Sequence, residues 1–233
     1  MAEQKFTAAD YLKKILLAPV YEAAVETSLQ PLNKLSARLG NQVLLKREDQ
    51  QPVHSFKLRG AYNKLASLSD AQKAQGVVAA SAGNHAQGVA MSASKMGIKA
   101  IIVMPQTTPD IKVSSVRELG AQVELVGNSF DEASQHAKQL SANQGYTLIP
   151  PFDDADVIAG QGTVGKELLQ QDTFLYSRDA TAVQLAKACG VKLIDGEIVA
   201  STIFARNAAW QTPKAKEMYG ITSSRRSIRS LAW

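Results

Sequence analysis

Between Val77 and Pro151 short apolar runs alternate with amphipathic stretches, and no other pattern constrains the fold of this chain as strongly. The runs Val77-Val78-Ala79-Ala80, Ala100-Ile101-Ile102-Val103-Met104, residues 122–126 and Tyr146-Thr147-Leu148-Ile149 read as strands, the last closed by Pro150-Pro151. Residues 84–96, 109–119 and 129–144 carry apolar side chains at helical spacing. Strands that are apolar at nearly every position are covered on both faces, which is the pattern of a parallel sheet between two layers of helix. The crossovers are then right-handed, and ligands sit at the carboxyl ends of the strands. The turns after Ala80 and Met104 are therefore where chemistry is expected. Upstream, residues 8–17 and 31–39 read as helices, the second with Pro31 at its start, and residues 42–45 as a short strand.

Composition matters mainly through its unevenness. The chain has 233 residues and a net charge of +5. Met1 to Asp172 carries 17 basic and 17 acidic residues, whereas Thr173 to Trp233 carries nine basic and four acidic, so the tail supplies the whole excess. Both tryptophans and the single Cys189 also lie there. One cysteine makes no internal disulfide and no cysteine metal cluster, and His54, His85 and His136 show no metal-ligand spacing, so no metal is expected. The first apolar stretch, residues 15–20, is short and broken by Pro19, unlike a secretory or membrane-spanning segment. A cytoplasmic protein without a membrane partner is the expectation.

After the first strand comes Ser81-Ala82-Gly83-Asn84-His85-Ala86-Gln87-Gly88. Ser81 is placed to cap the following helix and Gly83 to turn the backbone tightly with its N–H unshielded. Free amides on the positive end of a helix suit a carboxylate or phosphate. Taken alone, the octamer is also an ordinary capped strand-to-helix turn. It is not the dinucleotide fingerprint, because no acidic residue follows at about 20 residues, so a nicotinamide cofactor is disfavoured.

The second segment is Lys46-Arg47-Glu48-Asp49-Gln50-Gln51-Pro52-Val53-His54-Ser55-Phe56-Lys57-Leu58-Arg59-Gly60-Ala61. Lys57 precedes a helix beginning at Leu58. The helix dipole, repulsion from Arg59 and burial beside Phe56 would all lower its pKa, as an amine nucleophile requires. By itself the Lys-x-Arg pair also reads as a solvated basic helix start.

Together the two segments resemble the fold-type-II pyridoxal-phosphate (PLP) enzymes, most closely the biosynthetic threonine dehydratases. The Ser-Phe-Lys-x-Arg-Gly-Ala run resembles that family's Schiff-base lysine motif, and Ser-x-Gly-Asn-His-x-Gln-Gly its substrate and cofactor loop. The likeness extends through Ala18-Pro19-Val20-Tyr21-Glu22, Met104-Pro105 with Asp110-Ile111-Lys112, Pro150-Pro151-Phe152-Asp153 and Ile158-Ala159-Gly160-Gln161-Gly162-Thr163, and covers about residues 10–172. It implies the three-layer parallel sheets of the tryptophan-synthase-β-like fold. Residues 1–58 and 151–172 would form part of the larger domain, 59–150 the small α/β domain, and 173–233 a divergent basic tail. It also implies that Lys57 carries PLP, that Phe56 lies against its ring and that Asn84 bonds its ring oxygen. Ser81, Gly83 and His85 would hold the substrate carboxylate. The implied reaction is deamination of L-threonine to 2-oxobutanoate and ammonia in isoleucine synthesis, with L-serine reacting likewise.

The sequence departs from the family at Thr27-Ser28-Leu29, where a proline is usual at the middle position, and more severely after Asp172. There the family has a glycine-rich loop for the PLP phosphate, whereas Gly190, Gly196 and Gly220 are isolated. The larger domain is thus expected to be incomplete, leaving apolar surface that a second copy of the chain would cover. In the tail, residues 180–189 read as an amphipathic helix, 191–194 as a strand, and 223–230 as a basic end. Two other functions follow from these departures: a remnant without activity, and a nucleic-acid-associated protein led by the basic tail, the latter disfavoured.

Overall fold

A computed structural model of the chain describes residues 6–40 and 42–171. The first helix, α1 (Ala8–Leu17), opens on a capping box: Asp10 N–H donates to Thr7 Oγ1 at 3.3 Å and Thr7 N–H to Asp10 Oδ2 at 2.8 Å. A two-stranded antiparallel ribbon follows, β1 (Leu29–Pro31) against β2 (Leu44–Lys46), joined through α2 (Asn33–Leu39). Pro31 was expected to start the helix and instead ends β1, opposite Leu44. The ribbon tolerates it because the next donor, Leu32 N–H, bonds Val43 O at 2.9 Å in its place.

Helix α3 (Lys57–Ala66) starts one residue before the expected Leu58. The short α4 (Asp70–Gln75) was not foreseen; it has no apolar side chain larger than alanine and buries none of its residues, so periodicity is silent, but Ser69 and Gln72 form a reciprocal capping box at its start. The alternation from Val77 then appears as β3 (Val77–Ala80), α5 (Asn84–Met96), β4 (Ala100–Met104), α6 (Asp110–Glu118), β5 (Gln122–Leu125), α7 (Phe130–Gln144) and β6 (Thr147–Leu148). All four strands are parallel in the order β5-β4-β3-β6. The register Val77 to Ala100 and Ala79 to Ile102 sends these side chains, with Met104, into a core built with α3, α5 and α6. The alternate set Val78, Ala80, Ile101 and Val103 packs against Ala133, Ala137 and Leu140 of α7 on the other face. This is the three-layer arrangement expected from the strands' continuous apolar character. The chain leaves β3 towards β4 but returns through α7 to β6 on the far side of β3, so the turns after Ala80 and Leu148 open side by side at the carboxyl edge.

The last described element, α8 (Ala155–Gln171), is longer than any other and was not foreseen as a helix. Gly160, Gly162 and Gly165 lower its intrinsic propensity. Packing overrides it: a Cβ at Gly160 would lie 2.4 Å from the Arg59 carbonyl oxygen, so glycine lets α8 cross α3 at backbone contact. The helix expected at 180–189, the strand at 191–194 and the basic end at 223–230 lie outside the described residues. Among the described residues no helix is long and apolar enough to cross a membrane. None of their His, Cys, Asp and Glu side chains gather in threes to hold a metal ion.

Candidate active site

Lys57 is the first residue of α3, and the chain reaches it through a short helical turn over Glu48–Gln50 and a left-handed His54 at φ 53°. His54 Nδ1 lies 3.0 Å from Asp49 O, a local bond that helps hold this unusual backbone. Ser55 Oγ accepts from Lys57 N–H at 3.2 Å, in place of the missing helical partner. The Lys57 Nζ donates to Pro151 O at 2.6 Å and lies 5.6 Å and 6.0 Å from the ring centroids of Phe56 and Phe152. Burial lowers its pKa to about 8. Repulsion from Arg59, expected to contribute, does not: that guanidinium is neutralised on the spot.

Arg59 is fully buried and sits among four chain segments. Its Nε and Nη2 donate to Glu48 Oε2 and Oε1 at 2.8 Å and 2.9 Å, and its Nη1 and Nη2 to Glu167 Oε1 and Oε2 at 2.5 Å and 2.9 Å. Lys46 Nζ reaches Glu167 Oε2 at 2.6 Å and Thr27 O at 2.6 Å. Two cations and two anions thus cancel away from water, with Thr27, Gln51 and Thr163 filling remaining bonds. Burial pushes the Glu167 carboxyl up, but the bonds from Arg59 and Lys46 outweigh it and hold the pKa below its ordinary value. Glu48, Lys46 and Glu167 were not singled out as a set from the sequence; the surprising charge density of the Lys46 to Asp49 run was the available signal.

The loop after β3 differs in detail from its expected form. Helix α5 begins at Asn84 with Gly83 as its N-cap, and no side chain caps it. Ser81 Oγ accepts from Gly83 N–H at 3.2 Å instead. Gly83 has φ −143°, which does not demand glycine; what its missing side chain does is leave space, because a Cβ there would meet no atom within 4 Å. Gln87 N–H makes the first helical main-chain bond, to Gly83 O at 3.3 Å, so the amides of Asn84, His85 and Ala86 have no partner in the helix and form its positive end. Asn84 is exposed at this rim, while His85 is buried.

The His85 Nε2 lies 3.0 Å from Ile149 O. A carbonyl only accepts, so Nε2 carries the hydrogen, and Nδ1 is a buried acceptor without a partner. Burial is the main cause that lowers the His85 pKa to about 4, so the ring is neutral. A Cβ at Gly88, one turn along, would lie 3.1 Å from Lys57 O and 3.2 Å from Leu58 N, so the starts of α5 and α3 touch through backbone. The structure thus gathers Lys57, Phe56 and His85 around residues 149–152. Pro151 and Phe152, noted in the sequence only as part of a likeness, supply the lysine's acceptor and second ring.

An amine shielded on most of its surface, flanked by two aromatic rings and lying at the same sheet edge as open helix amides, fits a flat aldehyde-bearing cofactor with anionic substituents. The family model described as "Pyridoxal-phosphate dependent enzyme" matches residues 20–188. The biosynthetic L-threonine dehydratase IlvA of Escherichia coli is 61% identical over 167 residues, which are 72% of this chain and 32% of that protein. The chloroplastic biosynthetic threonine dehydratase of Arabidopsis thaliana is 58% identical over 164 residues, 70% of this chain and 28% of that one. The chain therefore spans about a third of the length of these curated relatives. Among solved structures, the processed threonine deaminase isoform 2 of Solanum lycopersicum superposes with a TM-score of 0.70 at 44% identity, covering 84% of this chain and 58% of that one. Maize serine racemase gives 0.68 at 29% identity, covering 79% and 59%. The fold shared with these structures is the fold-type-II α/β architecture implied by the motifs, and PLP is its cofactor. Since the family match takes in α3, the β3–α5 loop and α8 alike, the site and the scaffold around it have one origin: this chain belongs to the pyridoxal-phosphate dependent enzymes.

Proposed function

We propose that this chain carries the lysine-bearing part of a PLP-dependent L-threonine ammonia-lyase, which forms 2-oxobutanoate and ammonia, with L-serine as a second substrate. The observation that carries the reading is the Lys57 amine, whose pKa of about 8 leaves a usable neutral fraction near neutral pH, beside the open amides of α5. Lys57, Phe56 and Asn84 are the residues that hold the cofactor, which when bound supplies an electron sink for the charge left at a substrate α-carbon. Lys57 Nζ, in its neutral form, accepts the α-proton. Ser81, Gly83 and His85 orient the substrate carboxylate at the helix end, His85 through its main-chain N–H, because its ring hydrogen is committed to Ile149 O and its Nδ1 only accepts. The ring of Phe56 keeps water from the amine.

The same reading divides the chain into a small domain over 59–150, supported by the four-stranded sheet and its helices, and part of a larger domain over 1–58 and 151–172, supported by the packing of α1 on α8. A cytoplasmic location goes with it. The test is to incubate the purified chain with PLP and record its visible spectrum. A band that Lys57→Ala abolishes, together with 2-oxobutanoate released from threonine, is the expected result. A band without product restricts the chain to cofactor binding, and no band overturns the reading.

A further inference from the structure

Two carbonyls in one three-residue segment receive the two side chains that matter most at this site. Ile149 O accepts from His85 Nε2–H at 3.0 Å, and Pro151 O accepts from Lys57 Nζ at 2.6 Å. Between them stand two consecutive prolines. Each ring fixes its own φ, and each proline also restricts the ψ of the residue before it, so the segment from Ile149 to Pro151 moves as a stiff unit. Ile149 is itself held on its other side, with its N–H donating to Val78 O at 2.8 Å at the end of the ladder. The ladder fixes where the segment starts, and the His85 bond fixes the direction in which its carbonyl, and the prolines after it, leave the sheet.

A buried histidine is an expensive way to fill this space. His85 is 4% exposed, and its Nδ1 has no hydrogen-bond partner. An apolar side chain would avoid that unpaired atom, so the imidazole is explained by what its other nitrogen does. Resting on the reading of Lys57 as the reactive amine, we propose that the His85 side chain is a positioning residue for Lys57, acting through the rigid Ile149–Pro150–Pro151 segment. It touches no reacting group. It sets where the Pro151 carbonyl stands, and hence where Lys57 Nζ rests between Phe56 and Phe152 and how well it is shielded. No charged side chain contributes to the lowered pKa of Lys57, and burial alone accounts for it, so the amine's titration reports directly on this shielding.

The experiment uses the full chain without PLP. Competitive acetylation with acetic anhydride across a pH series, followed by peptide mass spectrometry, gives the titration of Lys57 in the unsubstituted chain, His85→Gln and His85→Phe. The unsubstituted chain should half-titrate near pH 8. His85→Gln, which retains an N–H donor, should stay close to it. His85→Phe should free the Ile149 carbonyl, admit water to the amine and move the titration up by about one unit, seen as roughly tenfold less acetylation at pH 7. The proposal is overturned if His85→Phe is folded by circular dichroism and titrates as the unsubstituted chain does, or if His85→Gln shifts as far as His85→Phe. Nitrogen-15 NMR of the unsubstituted chain decides independently of any variant: a hydrogen on Nε2 protected from exchange supports the proposal, and one on Nδ1 refutes it. Because neither readout involves PLP, a chain that fails to take up the cofactor would refute the functional reading and leave this one standing or falling on its own.

Discussion

Two alanine substitutions in the same helix are expected to act with opposite sign. At Gly160 a methyl group would meet Arg59 O at 2.4 Å, Gly60 Cα at 2.7 Å and Arg59 C at 2.8 Å, all of them backbone atoms that no rotamer change can move aside. Ordinary contact begins at 3.4 Å, so α8 must retreat from α3 by about 1 Å, at the point where Glu167 grips Arg59. Overpacking of this kind costs about 3 kcal/mol at the upper end of its usual range, and the better helix propensity of alanine returns about 1 kcal/mol, for a net loss of about 2 kcal/mol. At Gly165 a Cβ meets nothing within 4 Å, so only the propensity gain is left, about 0.5–1 kcal/mol. Urea unfolding of the three proteins measures both. With a slope of roughly 2 kcal/mol per molar urea, the midpoint should fall by about 1 M in Gly160→Ala and rise by about 0.3–0.5 M in Gly165→Ala. Midpoints that move the same way, or a Gly160→Ala chain as stable as its parent, would refute the claim that α8 and α3 touch through backbone.

Lys57→Met should stabilise the chain at neutral pH. The folded pKa of about 8 lies below the ordinary 10.5, so the penalty for burying the ammonium is complete below pH 8 and fades as pH rises towards 10.5. Discounted for the part of the side chain still in contact with water, the gain is about 1–2 kcal/mol, and thermal melts at pH 7 and pH 10 should show it large in the first and small in the second. Glu167→Gln should cost about 3–5 kcal/mol, because it leaves Lys46 and Arg59 with one carboxylate between them in a dry site. Glu124→Gln, which breaks the partly exposed pair with His136, should cost under about 1 kcal/mol in the same unfolding assay. The parent should also lose stability as the pH falls through the lowered Glu167 pKa, a loss absent from Glu167→Gln.

The parts of the fold that could be read in advance are those whose cause is local. Strands β3 and β4 are apolar at every position because helices cover both faces, and that leaves its mark on the sequence as two unbroken apolar runs, of four and five residues. Lys57 and the Ser81 to His85 loop were legible because unusual residues stand together. What was missed depends on partners far along the chain. Arg59 read as a repulsive neighbour of Lys57 because its second carboxylate lies 108 residues away. The lysine's own acceptor, Pro151 O, lies 94 residues away and is a main-chain atom that residue identity does not announce. Helix α8 was hidden by its glycines, of which Gly160 serves a backbone contact with α3, and Pro31 by a ribbon whose second strand forms only after α2. The Ser69 and Gln72 capping box, by contrast, was present in the sequence and marked a helix that apolar spacing did not.

The buried quartet of Lys46, Glu48, Arg59 and Glu167 also says something about the order in which this chain becomes a protein. Until residue 167 has been made, Lys46 and Arg59 share a single carboxylate, and enclosing them would strand a positive charge away from water. The ribosome delivers α8 last among the described elements, after the parallel sheet with its nearer contacts is already available to fold. The nascent chain is therefore expected to keep the start of α3 hydrated and mobile, with Lys57 at its tip, while β3 to β6 settle. Arrival of Glu167 then supplies the second carboxylate that enclosure of Lys46 and Arg59 requires.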